Sequence, residues 1–83
     1  MRIVLRSDLE ELVRASIVVA LKLETVNLGD IHRREVASWD SLKHVELIFL
    51  MEDQFDIQFD EYEMTEMNSL SKIVDILESK IVA

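Results

Sequence analysis

The side chains best suited to chemistry lie together at Asp40-Ser41-Leu42-Lys43-His44. A carboxylate, a hydroxyl and an imidazole in so short a span invite comparison with the orienter, nucleophile and base of a hydrolase. On a helix, His44 approaches Ser41 from one turn away. Asp40, however, precedes the serine and is poorly placed to reach the far ring nitrogen of His44. No strand-turn-helix elbow surrounds Ser41, and no oxyanion pocket is evident. Two other roles fit the same serine. It suits a cap or first-turn position. It also suits a phosphate ester, because a helix start offers unpaired N–H groups and the positive end of the dipole.

Other candidates are weaker. Asp56-Ile57-Gln58-Phe59-Asp60 lacks the alternating ligands, central glycine and distal glutamate of a calcium loop. His32 and His44 are isolated from each other and from any ligand set. No metal site is expected. The chain has no cysteine, so disulfides, thiolate metal sites and redox couples are excluded. It has no proline and one glycine, Gly29, so no phosphate-cradling glycine loop exists. Met51, Met64 and Met67 suit ordinary core packing or the lining of a cavity that reshapes around a ligand. Trp39 suits the core, or a wall beside a group attached at Ser41.

Charge narrows the partners. The net charge is −8. Between Asp40 and Glu66 stand nine acids, Asp40, Glu46, Glu52, Asp53, Asp56, Asp60, Glu61, Glu63 and Glu66, against one base, Lys43. That third of the chain therefore carries the whole net charge. Such a field repels nucleic acid and anionic membrane and attracts basic protein surfaces. A solvated face that only aids solubility is the alternative. Apolar runs fall far short of the roughly 18 residues of a membrane span. The start, Met-Arg-Ile-Val-Leu-Arg, lacks the apolar length of a secretion signal. A soluble cytoplasmic protein is expected.

These residues need elements to position them. Eighty-three residues form one domain with one modest core. Ser7-Asp8-Leu9-Glu10 has the pattern of a capping box and opens a first helix over about residues 7–22. Leu9, Leu12, Val13, Ile17, Ala20 and Leu21 supply its apolar stripe. A long aperiodic stretch follows to Asp40. Asn27, Gly29 and Asp30 suit turns there, while Val26, Leu28, Ile31, Val36 and Trp39 can pin it to the core.

A second helix runs from Asp40 or Ser41 to about Gln54. Leu47, Leu50, Met51 and Phe55 make one stripe. Leu42, Val45 and Phe49 make another, with Glu46 and Asp53 on the same side. A chain this small cannot bury a helix all round, so one face serves the core and the other a ligand or partner. Asp60-Glu61 with Tyr62, Met64 and Met67 suggests a short, irregular helix with acids near its start. Asn68 or Ser69 caps a last helix striped by Leu70, Ile73, Val74, Leu77 and Ile81. The expected fold is all-α: a small four-helix bundle, three longer helices and one short, with a long loop between the first two.

The segment WDSLKHVELIFLMEDQFDIQF, residues 39–59, resembles the prosthetic-group region of acyl carrier proteins. In that family an Asp-Ser-Leu tripeptide opens the second of four helices. The likeness continues through Val45-Glu46-Leu47, the acids at 52–53, Phe55 and the helix after Asn68-Ser69-Leu70, covering nearly the whole chain. Fatty-acid carriers usually have glycine two residues before the Asp; here Ser38 and Trp39 precede it. Lys43 and His44 follow the Leu, where that type has an acid and a small polar residue. The Trp-Asp-Ser-Leu start is more similar to free-standing carriers of specialised pathways.

The resemblance implies that Ser41 is esterified with 4′-phosphopantetheine, whose thiol carries acyl or aminoacyl groups as thioesters. It implies partners with basic docking patches: a phosphopantetheinyl transferase and the enzymes that load and process the cargo. Asp40, Glu46, Glu52 and Asp53 would meet those patches, with Leu42, Val45 and Phe49 as the apolar contacts among them. Cargo would lie between the second and third helices, lined by Ile48, Met51, Phe59, Met64 and Met67. The protein would act as a monomer and would not be an enzyme. The alternative function is an unmodified adaptor that binds partners through the acidic helix face.

Overall fold

The computed structural model describes residues 5–23 and 30–82, with the side chain of Val82 excepted. Among them are four helices and no strand: α1 Arg6–Leu21, α2 Ser41–Phe55, α3 Glu61–Glu66 and α4 Leu70–Val82. The all-α, four-helix expectation is met. Asn27, Gly29, Val26 and Leu28, expected to shape and pin the first connection, lie outside the described residues.

Helix α1 starts earlier than its capping pattern indicates. Its N-cap is Leu5, which offers no side-chain cap. The backbone N–H groups of Asp8 and Leu9 instead bond the Leu5 carbonyl, at 3.0 and 3.2 Å. Ser7 therefore lies inside the helix, and the expected capping box does not form. Arg6 is the first helical residue. Its guanidinium meets Glu10 on α1 (3.3 Å) and Asp75 and Glu78 on α4 (2.8 and 3.4 Å). Asp75 and Glu78 tie this uncapped first turn to α4, and Glu10 meets Arg6 from its own helix.

Leu9, Val13, Ile17 and Leu21 line one face of α1 and are buried against Leu47, Ile48 and Met51 of α2 and Leu70, Ile73, Val74 and Leu77 of α4. This is the i, i+4 stripe that makes an isolated, marginal helix stable. Leu12, counted with that stripe from spacing, is 41% exposed. Helices α1 and α2 both end in a left-handed residue, Lys22 and Asp56, each with φ of 54°. The next residue closes each end: Leu23 N–H bonds Val18 O at 3.1 Å, and Ile57 N–H bonds Glu52 O at 3.1 Å. Leu23 and Ile57 then pack on the core, the apolar contact that accompanies this terminus.

The connection into α2 is fastened to the start of α4. Asp30 accepts from the backbone N–H and the hydroxyl of Ser71, both at 2.9 Å. Leu70 N–H bonds Ile31 O, and Arg33 N–H bonds Asn68 O, each at 2.8 Å. A single 3-10 turn, Arg33–Glu35, follows. Ile31 and Trp39 are buried, so the loop contributes to the core as well as crossing it. Among the described residues no helix is long and apolar enough to cross a membrane.

Candidate functional site

Ser41 is the first residue of α2 and is exposed. Asp40 is its N-cap, in extended geometry, and its carboxylate accepts from Lys43 N–H at 2.9 Å. His44 N–H bonds Asp40 O at 2.8 Å. A helix start orphans its first N–H groups, and these two bonds satisfy the later ones. The N–H groups of Ser41 and Leu42 remain beside the serine hydroxyl. Those donors and the dipole end suit an anionic ester on Ser41.

Leu42, Val45 and Phe49 stand at i, i+3 and i+7 and are 66%, 43% and 60% exposed. Leu50, expected on the core stripe, is 38% exposed. Asp40, Glu46 and Asp53, assigned to the same face, are exposed as well. Lys43 sits within it and pairs with Glu46 at 3.2 Å. At the far end of α2, Phe49, Glu52, Asp53, Asp56, Ile57 and Gln58 line a surface recess of about 650 Å³. An aromatic wall and three acids suit a long basic side chain, stem on the ring and charge among the carboxylates.

Glu52 differs from the other acids assigned to this face. It is half-buried, and its carboxylate accepts from Phe59 N–H at 2.8 Å. Its first task is to hold the α2–α3 connection. Ile48, Met51, Phe59 and Met67, placed beside cargo by the resemblance, are 0–5% exposed within the core; Met64 is half-buried.

His44 is 8% exposed, and its position was not legible in the sequence. Its Nδ1 accepts from the Trp39 indole N–H at 2.9 Å. An indole only donates, so the ring proton sits on Nε2, which donates to Met64 O at 2.8 Å. Burial lowers its pKa below the usual imidazole range and the nearby Arg33 charge adds to that, while the Met64 carbonyl opposes it. The neutral ring thus links the loop before α2, α2 itself and α3. Both nitrogens are engaged away from Ser41, so in this arrangement His44 has no lone pair for a serine proton.

No protein-family model, curated protein or solved structure matches the chain. Trp39, one residue before the Asp40 cap, is held at three points. Its N–H bonds Val36 O at 3.0 Å, its carbonyl accepts from Arg33 Nε at 3.2 Å, and its indole meets His44. The Arg33 guanidinium also reaches Asn68 Oδ1 at 3.4 Å. Among the described residues, no group of three or more His, Asp or Glu side chains is arranged to hold a metal ion.

Proposed function

We propose that this chain is an acyl carrier protein bearing 4′-phosphopantetheine on Ser41. The observation that carries the reading is a serine exposed on the first turn of a capped helix, with an apolar and acidic face beginning at the next residue. The residues present fit the group: a hydroxyl for the ester, and the Ser41 and Leu42 N–H groups for its phosphate oxygens. In attachment, the Ser41 oxygen forms the new bond to phosphorus. Its proton leaves to a base of the transferase, and adenosine bisphosphate departs from coenzyme A. The bound group supplies a thiol that holds acyl or aminoacyl cargo as a thioester.

The chain's own residues supply position and recognition. Asp40, Glu46 and Asp53 steer basic enzyme surfaces, and Leu42, Val45 and Phe49 give them apolar contact. Exposed ion pairs are each worth only about 0–1 kcal/mol, so they speed encounter and permit release. A shuttle serving several enzymes needs both. Cargo between α2 and α3 would lie against Ile48, Met51, Phe59, Met64 and Met67, four of them buried and Met64 half-buried. The Trp-Asp-Ser-Leu start supports a specialised pathway over the main fatty-acid one.

The exposed Leu42, Val45 and Phe49 also support a second reading, an adaptor that docks through this face with Ser41 unmodified. Modification by a phosphopantetheinyl transferase separates the two, with Ser41→Ala as the control. An adaptor keeps its partner binding in Ser41→Ala and takes no arm in the wild type.

A further inference from the structure

We propose that His44 is a positioning residue whose ring couples the turn presenting Ser41 to helix α3. The functional consequence rests on Ser41 as the attachment site; the coupling itself does not.

The geometry is specific. Asp40 and His44 close the first turn of α2 through the backbone, with His44 N–H on Asp40 O. The Trp39–His44 side-chain bond closes the same turn a second time, outside the helix ladder. The residue before the cap is thereby fixed to the residue after Lys43, and Ser41 lies between them. The other ring nitrogen leaves α2 and holds Met64 O. Helix α3 has six residues, far too few to persist unaided. Besides its own capping box at Asp60 and Glu63, it depends on fasteners from its neighbours. His44 provides one from α2, and Lys80 of α4 provides another through Glu63 at 2.9 Å. One imidazole therefore serves both the serine turn and α3, and each gains from the order of the other.

Three substitutions cut this pair of bonds differently. Trp39→Phe removes the indole donor and leaves the His44–Met64 bond. His44→Leu removes both. His44→Gln keeps an amide donor for Met64 O and has no acceptor at the Nδ1 position that the indole uses. The test is residue-by-residue amide hydrogen exchange under native conditions, corrected for each variant's global stability in urea, together with the rate of transferase modification.

After that correction, Trp39→Phe and His44→Gln are expected to speed exchange at residues 43 and 44 by about 10-fold or more, because each loses one buried bond. Exchange at Met64 N–H stays near wild type in both and rises only in His44→Leu. Modification slows in step with the loss at residues 43 and 44. If exchange rises evenly through the chain, by no more than global stability explains, His44 is only a core residue and the proposal is overturned. If His44→Leu does not fold, the other two variants decide. A wild type that takes no arm overturns the attachment reading, and the exchange pattern still decides the coupling.

Discussion

The carboxylate of Glu52 accepts a hydrogen bond from the backbone N–H of Phe59, 2.8 Å away, across the end of its own helix. The bond folds the α2–α3 connection back on α2 and delivers the Phe59 ring to the core. There it lies 5.7 Å from the Lys80 ammonium, which also pairs with Glu63. An acid that the sequence groups with a docking surface is thus part of the frame. Glu52→Ala should cost about 1.5–3 kcal/mol, the range for a hydrogen bond to a charged group. Glu46→Ala, at an exposed site, should stay within about 0.5 kcal/mol. Urea unfolding of both variants checks this, and equal losses would contradict it.

The docking face should separate affinity from stability. Replacing Glu46 and Asp53 together with Lys should slow transferase modification about 10-fold or more and move the urea midpoint little. Both side chains are exposed, and long-range steering acts on encounter. The wild-type rate should also fall as salt rises from 50 to about 500 mM, because screening shortens the reach of these charges. A double variant that loses helicity and modification in parallel would refute the separation.

Acid should weaken the fold through His44. Its folded pKa is depressed below 6.5, mainly by burial. Between that lowered value and 6.5 the unfolded chain binds a proton that the folded chain does not. The contribution to stability is therefore complete above pH 6.5 and lost as pH falls toward the folded pKa. Protonation also turns Nδ1 into a donor facing the Trp39 N–H. His44→Gln should flatten the stability profile over this window, measured by urea midpoints at successive pH values. An unchanged profile would place the titration elsewhere. Asp30 acts lower. Desolvation raises its pKa, but the Ser71 hydrogen bonds and the His32 charge outweigh that and leave it below 3.8, so its contribution disappears only in stronger acid.

Asp56 offers a test of the helix ends. It holds φ of 54° at the close of α2, a region where a residue with a Cβ pays about 1–2 kcal/mol. Asp56→Gly removes that strain and gives back part of it as backbone entropy in the unfolded chain. A net gain of about 0.5–1 kcal/mol is expected from the urea midpoint. A loss would mean that the Asp56 side chain stabilises the terminus more than its strain costs.

The parts legible in the sequence are those set by local rules. Asp40 before an apolar-periodic run marked the start of α2, and the acids Asp60-Glu61 marked the start of α3, because caps and stripes are short-range. Ser7 misled for the same reason: its local pattern fits a cap, but the N-cap is Leu5, and Arg6 meets Asp75 and Glu78 from a distant helix. Trp39 left core and wall open, and His44 looked isolated, because their mutual bond and the reach to Met64 exist only once α2 and α3 are packed. Glu52 carried the same ambiguity. Its charge was visible, but its partner, a backbone N–H seven residues on, depends on a loop conformation that no spacing rule encodes.

The most direct test of the central claim is the intact mass of the purified protein. It is measured before and after incubation with coenzyme A, Mg²⁺ and a broad-specificity phosphopantetheinyl transferase, with Ser41→Ala and a known carrier in parallel. The carrier reading predicts a gain of one phosphopantetheine on the wild type and none on Ser41→Ala. A folded wild type that gains nothing while the control carrier is fully modified, with this transferase and with its natural one, would contradict it.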